Sequence, residues 1–527
     1  MRWFDAYDGP WTRDEAAHLG RRAGFGRRPD ELTRMVEWGL DRTVDGIVDY
    51  PVVDEELEAE IAALPEILAV DRNGQEKPVG SIKVPFYEWD LQNHWIFRMI
   101  RTRHPLQQQL QLFMHDHLVS DWQKVWATIT DADVRGPTGF NRGALNPWTQ
   151  KIVGRQYRLL RDASHGPYRA LLRAVLRDPA MLIYLDNRIN TKEKPQENFA
   201  RELLELFTMG VGNYTEHDVR EIARALTGEA LNEREADHWP FEYEFQADRH
   251  DGEVKTVFGK EVRSDMPGGE ADRIIDLILD HVSGAPISPA HARVPAAALH
   301  LAWKFLGWFV FESIPIDHPA VEELGAFFYE TRVDGDNYQV REVLRKIFKS
   351  RFFHDESYRY RMVKHPMDYM VMAARNVELD EFACVTRWPL NKMGVPVWTA
   401  EMGMRLYGAP NVSGWEHGRA WINSGNLIAR FNLAGGMSGA DFMTPAYCDR
   451  LIAQGHVDSE SDTEGIVEYF RARLLQAELR PAEKQSLDAM VAAIGASPSE
   501  ADPSTVFQRR VRACFHVMMT FPRYQLK

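Results

Sequence analysis

The sequence predicts a mainly α fold, a large multi-helix globular body with a small β excursion near residues 240–260. Three observations support this. Apolar residues recur at helical spacing in one segment after another, as in Phe199, Leu203, Leu206 and Phe207 or Val340, Val343, Leu344, Ile347 and Phe348. Glycine, proline and capping residues separate these segments. Strand-like alternation of large apolar and acidic residues is confined to Trp239–Phe245, WPFEYEF.

Taken in order, Thr12-Arg-Asp-Glu15 is a capping box that opens a first helix ending near Gly24 and Gly26. Pro29-Asp30 opens a second, with Leu32, Met35 and Val36 inward, and a third short helix fits 41–50. These make an N-terminal helical segment, 1–50, packed on the main body. A flexible acidic helix and loop follow over 51–88, the helix from Glu55 to Ile67. The main helical domain spans 89–460 and a C-terminal helical segment 461–527. Trp89 to Val119 reads as one long amphipathic stretch closing in His115-Asp116-His117, and the Gly, Pro and Asn content of 122–150 reads as a loop or lid. Helices at 151–162 and 167–177 lead to a polar turn with Asp186, Asn187 and Asn190.

The chain is organised around Asn198–Gly228, read as helix, turn, helix. Gly210 and Gly212 end the first helix by accepting a left-handed conformation, and Thr215 caps the second. WPFEYEF then pairs with a strand inside Arg249–Gly259, with Asp251-Gly252 at the turn. Helices follow at 270–282, 288–313, 318–331, 338–350 and 366–377. Residues 402–424 are loop-like and carry Asn411, Trp415, His417, Trp421 and Asn423; helices at 464–476, 481–494 and 503–519 complete the chain.

At 527 residues and 44% hydrophobic, the chain can bury a large core. A formal charge of −14 and the absence of a long basic run argue against nucleic acid as a partner. Cys384, Cys448 and Cys514 are too scattered for a disulfide framework or a thiolate zinc site. The N-terminus has no apolar signal core. Pro295–Ile316 is interrupted by His300, Lys304 and Glu312, so it reads as a buried helix and not a membrane span. As written, the chain is expected to be soluble and cytoplasmic, with export alongside a partner as the alternative.

Three polar clusters stand out in this apolar body. His115 and His117 diverge by about 200° in a continuous helix and share a metal only if the helix ends between them; Asp116 then orients a ring or ligates in its own right. Glu202 and Glu205 sit three apart on one helix face. His250 and Asp251 form the third. The metal-ligand set expected is His115, His117, Glu202, His250 and Asp251, imidazole and carboxylate without thiolate, suited to Zn, Mn or Fe. Glu205 is the general base, and Arg201 and Lys255 complete the catalytic candidates. The bland alternatives are an Arg201–Glu205 pair on a wet surface, capped helix ends and a solvated lysine. Asn198, Trp415, His417 and Trp421 are the substrate-binding candidates, the tryptophans as a stacking clamp for a sugar or peptide. No phosphate loop, dinucleotide fingerprint or serine elbow is present.

NFARELLELFTMGVGNYTEHDV with the following ARALTG resembles the signature of a bacterial family known as domain of unknown function 1800, DUF1800. AAHLGRRAGFG, LFMHDHLVS, MLIYLDN, RHDGEVKTVFG, APNVSGWEHGRAWINS and MMTFPRYQLK agree in order, so the resemblance spans nearly the whole chain. It implies a mainly helical fold and frequent gene pairing with sulfatase-like or phosphatase-like proteins, and no activity. Members usually carry a tryptophan before the first histidine of the HxH piece and another after ALTG, where this chain has Met114 and Glu229.

The expectation is a metal-dependent enzyme, a hydrolase first and an iron oxidoreductase second. From other classes come a non-catalytic helical scaffold or chaperone for a sulfatase/phosphatase-like partner, and an aromatic-lined glycan-binding protein.

Overall fold

The computed structural model describes residues 2–63, 88–130, 146–232, 241–263, 268–282, 293–379, 395–494 and 502–527. Helices α1 (Arg13–Arg22), α2 (Pro29–Val48) and α3 (Glu55–Ala63) form the N-terminal part. The Thr12 capping box is present, with Glu15 accepting from the Thr12 amide at 2.8 Å. α2 breaks at Gly39, so the short helix expected at 41–50 is its second half.

The long amphipathic stretch is two helices, α4 (Glu88–Arg101) and α5 (Pro105–His117). Pro105 forces the division: its ring would clash with the preceding turn of a continuous helix, whereas at the first helical position it is pre-organised. Every residue of α5 is buried, including its glutamines. Those amides are tied to other elements, Gln109 to Gly24 O at 2.9 Å and Gln111 to Tyr157 O at 2.9 Å, so a helix with this much polar content sits at the centre of the molecule.

The loop expected over 122–150 is helical at both ends, in α6 (Trp122–Thr130) and α7 (Asn146–Ala163); 131–145 lies outside the described residues. The signal passed over was the spacing of Trp122, Val125 and Ile129, all buried. Helices α8 (Tyr168–Leu176) and α9 (Pro179–Tyr184) lead to the asparagine turn. There Asn187 donates to Leu226 O and Glu229 O, and Asn190 to Ala223 O, locking the turn onto the end of the central motif.

That motif folds as expected, α10 (Glu197–Glu205) packed against α11 (Glu216–Ala225). Gly210 and Gly212 have φ of 79° and 89°, and Thr215 caps α11 with Asp218. The β excursion differs from expectation. β1 (Glu229–Leu231) pairs with β2 (Tyr243–Phe245), and β3 (Lys255–Val257) pairs separately with β4 (Lys260–Val262). The tight turn lies at Phe258-Gly259, both at positive φ as a hairpin of matching twist requires, and not at Asp251-Gly252.

Helices α12 (Gly269–Leu279), α13 (Ala296–Phe309), α14 (Pro319–Glu330), α15 (Val340–Phe348), α16 (Arg351–His354) and α17 (Pro366–Asn376) follow. α13 is the buried helix expected within 295–316 and packs on α14; among the described residues no helix is long and apolar enough to cross a membrane. The helix Pro503–Thr520 packs along Ser424–Met437. The last residues then return to the start of α17, where Lys364 N donates to Gln525 O and Lys527 N to Met362 O, each at 2.8 Å. This return brings the C-terminal segment beside α5 and α13.

Candidate functional site

The last turn of α5 sends three successive side chains in three directions. His115 goes into an aromatic nest of Trp95, Tyr407 and Trp415, where its Nε2 accepts the Tyr407 amide at 3.1 Å. Burial pushes its pKa down to about 4, so the ring is neutral. His117 faces α8 and the end of α10, its Nε2 lying 3.0 Å from Tyr168 Oη and 3.2 Å from Phe207 O. The Tyr168 hydroxyl donates to that same carbonyl at 2.7 Å, which leaves Nε2–H of His117 as a donor. Burial and the neighbouring Lys304 also hold this ring neutral.

Asp116 goes the third way. Its Oδ1 accepts the Trp415 amide at 2.6 Å and its Oδ2 lies 3.0 Å from Nε2 of His417. The approach of residues 414–415 is close enough that a Cβ on Gly414 would stand 2.4 Å from Oδ1. The pair opens on a cavity of about 110 Å³ walled by Phe113, Trp303, Trp308 and Trp421. Asp116, His117, Lys304, Glu312, His365, His417 and Lys527 supply its polar lining.

Each polar group has a structural reason to be there. Lys304 and Glu312 come from α13 and the turn after it. Burial lowers the lysine, with Asp116 opposing, and raises the Glu312 carboxyl toward its protonated form. His365 caps α17, its Nδ1 accepting the Asp368 amide at 3.1 Å, so Nε2 carries the proton and lies 3.1 Å from Asp368 Oδ2. Lys527 Nζ reaches the same oxygen at 2.5 Å, and Gln109 of α5 donates to Oδ1 at 2.5 Å. Asp368 is thus a buried anchor tying α5, α17 and the C-terminal segment together behind the cavity. Trp308 stands between the two histidines, 5.4 Å from His365 and 5.8 Å from His417.

Of the residues expected from sequence, Asp116, His117, His417 and Trp421 line this cavity. Trp415 is buried behind it and contributes its backbone amide, so its ring is not a stacking surface. The polar residues of α10 lie elsewhere. Arg201 pairs with Glu216 at 2.8 Å and Glu197 at 3.2 Å, not with Glu205, and Glu205 accepts from Tyr214 at 2.9 Å. Glu202 and Glu205 do share a face: burial, then the Glu205 charge, raises Glu202. Asn198 donates to Leu185 O at 3.3 Å.

The third cluster is an ion network under β3. Lys255 Nζ lies 2.7 Å from Glu270, His250 Nδ1 2.7 Å from Thr227 O, and Asp251 2.8 Å from Arg224. The three clusters therefore do not open on one cavity, and among the described residues no group of three or more His, Cys, Asp or Glu is placed to hold a metal ion.

Sequence reasoning missed Lys304, Glu312, His365 and Lys527. Lys304 and Glu312 were visible as charges interrupting an apolar helix, and His365 as a residue before Pro366; nothing in the sequence marks Lys527 as buried.

Two departures from the family pattern are also placed. Met114 is fully buried on α5. Glu229 is fully buried too, with Arg177 Nε 3.9 Å from its Oε2. Burial pushes its pKa up to about 7, against the opposing effects of Tyr243 and Arg177.

The family described as protein of unknown function DUF1800 matches residues 18–135 and 140–526, which takes in all three clusters and every residue lining the cavity except Lys527. No curated protein and no solved structure matches the chain. With both segments in order and nearly the full length covered, the chain belongs to the DUF1800 family.

Proposed function

We propose that the chain is a hydrolase in which Asp116 and His417 activate a water molecule inside the tryptophan-walled cavity. The observation that carries this is the 3.0 Å contact between Asp116 Oδ2 and His417 Nε2 at that cavity. The carboxylate directs the Nε2 proton of His417 toward itself, leaving Nδ1, which has no protein partner among the described residues, to take a proton from water. Glu312, whose carboxyl burial raises above its ordinary value, is the matching acid for a leaving group. The ammonium groups of Lys304 and Lys527 line the same space and favour negative charge developing on the substrate. The test is turnover of chromogenic esters, amides, glycosides and phosphate esters by the parent, His417→Ala and Glu312→Gln. Loss of turnover in both variants at unchanged melting temperature supports the reading; no turnover of any substrate by the parent removes it.

Metal dependence within this proposal rests on motif chemistry, imidazole and carboxylate without thiolate. Metal analysis of the purified protein tests it, and stoichiometric iron favours an oxidoreductase instead.

A second reading has its own observation. His115, His117, Asn187 and Asn190 are buried groups hydrogen-bonded to backbone, as expected of a non-catalytic scaffold or chaperone whose motifs serve the fold. Its partner would be of the sulfatase/phosphatase-like type, and co-purification with the product of a neighbouring gene of that type is its test.

A further inference from the structure

A second and larger cavity lies on another part of the molecule. It is a groove of about 840 Å³ between the α1–α2 junction, the end of α4, the end of α17 and the helix Pro445–Ala453. Among the described residues its lining contains seven arginines, no lysine and no aspartate, against the three glutamates Glu31, Glu60 and Glu378. In a chain of formal charge −14 this is a pronounced local excess of positive charge. No sequence run announces it, because the arginines come from separate elements.

Several of these side chains are neutralised. Arg28 meets Glu378 at 3.2 Å, Arg101 meets Glu60 at 2.7 Å, Arg34 meets Asp30 at 3.0 Å and Arg103 donates to Glu56 at 2.6 Å. Of the two buried ones, Arg375 has only a long ion pair with Glu31, at 3.6 Å, and Arg27 has none among the described residues. Arg27 is 6% exposed, yet among the described residues no carboxylate lies within ion-pair distance of it, and its guanidinium has only a 3.5 Å contact with Gly26 O. Its stem lies across Gly20 of α1 and its guanidinium beside Gly24 just after that helix, where a Cβ would stand 2.7 and 3.0 Å from Arg27 atoms. Those glycines give the side chain room to reach the groove. Arg375, 9% exposed, donates to Ile100 O at 2.9 Å and Thr102 O at 2.6 Å. Its ion pair with Glu31 is long, at 3.6 Å, and among the described residues its Nε has no hydrogen-bond partner.

A buried cation without a close counter-ion is costly unless something else supplies the negative charge. Here Arg27 is such a cation, and Arg375, whose buried Nε is unsatisfied, lines the same groove, which has the size that takes small ligands. The guanidinium fork matches oxyanions such as phosphate and carboxylate in bidentate fashion. The overall negative charge of the chain disfavours a long polyanion such as nucleic acid, which would meet repulsion beyond the groove. We propose that the groove binds a compact, multiply charged oxyanion ligand, a phosphorylated or polycarboxylate small molecule, seated on Arg27 and Arg375. The site is separate from the cavity at Asp116 and does not depend on the hydrolase reading.

Calorimetric titration of the full chain at low ionic strength tests this, with inorganic pyrophosphate as one probe and citrate as the other. The expected result is saturable binding that weakens as salt is added, and the tighter of the two probes identifies the phosphate or carboxylate source. Arg27→Gln is expected to weaken binding about 10- to 100-fold, the effect of losing one charge-assisted hydrogen bond, with a melting temperature equal to the parent or higher. Should that variant not fold, Arg28→Gln, at the more open rim, takes its place with the same expected direction. Absence of binding by both probes at millimolar concentration, or affinity unchanged in the folded variant, overturns the proposal.

Discussion

Asp116 and His417 meet at 3.0 Å although they lie on α5 and on the loop after residue 402, in opposite halves of the chain. The central residue of His115-Asp116-His117 thus faces His417 across the cavity, while the imidazoles of His115 and of His117, which also lines the cavity, are held by backbone and tyrosine partners. Asp116→Asn keeps the acceptor for the Trp415 amide but removes the charge that holds the His417 tautomer. If the pair is a base, the expected outcome is a fall in turnover of about 10²- to 10⁴-fold at nearly unchanged melting temperature. Asp116→Ala leaves that buried amide without its partner and costs about 1–3 kcal/mol of stability as well. Equal turnover in Asp116→Asn and parent would remove Asp116 from any chemical role.

His115 and His117 offer a second test, because the structure gives them separate surroundings. His115→Ala strands the Tyr407 amide and empties a place in the Trp95 nest; His117→Ala does the same beside Tyr168 and Phe207. Each is expected to destabilise by about 2–4 kcal/mol. Independent sites add to within about 0.5 kcal/mol, so the double variant should show the sum in urea unfolding. A shared metal predicts the opposite, since loss of either imidazole already loses the metal, and strong non-additivity would restore the two histidines as joint ligands.

The helical architecture was legible because periodicity and caps are local: Thr12, Thr215 and the glycine pair at 210 and 212 each act within a few residues of themselves. The hairpins were less legible. Strand pairing depends on which segments meet, and Tyr243–Phe245 found Glu229–Leu231 instead of the expected strand inside Arg249–Gly259. The site was legible in part. His417 and Trp421 drew notice by residue type alone, and His117 by its motif. Lys304 and Glu312 carry meaning only once α13 is placed against α5, and Lys527 only once the chain end is folded back. Distances between elements are what one-dimensional spacing omits.

Glu229 predicts a pH dependence with a definite sign. Its carboxyl ionises near its ordinary value in the unfolded chain and at about 7 in the folded one. Between those values the folded state keeps a proton that the unfolded state has released, so stability falls as pH rises through the window and the deficit is complete above it. Glu229→Gln removes this pH dependence. Relative to parent, it is expected to be neutral below pH 4 and more stable by on the order of 3 kcal/mol above pH 7. Asp178, buried at the start of α9 and pushed up to about 7 chiefly by burial, still gives the variant a residual slope of the same sign. A difference independent of pH would show that Glu229 does not titrate in this range.

The glycine pair ending α10 separates backbone strain from close contact. Both residues have left-handed φ, so an alanine at either is expected to cost about 1–2 kcal/mol from conformation alone. At Gly212 nothing lies within 4 Å of the added Cβ, and that is the whole effect. At Gly210 the Cβ would stand 2.9 Å from His300 Nδ1, on a buried ring whose Nε2 lies 3.3 Å from Leu206 O. Moving the ring gives up that hydrogen bond, about 0.5–1.5 kcal/mol, and disturbs the packing of α13 against the motif. Gly210→Ala should therefore be the more destabilising by at least about 1 kcal/mol in urea unfolding. Because Lys304 follows His300 by one turn of α13, the same variant should also reduce any activity of the cavity, whereas Gly212→Ala should not. Equal costs at the two positions would mean that α13 is not seated on the central motif as the 2.9 Å approach requires.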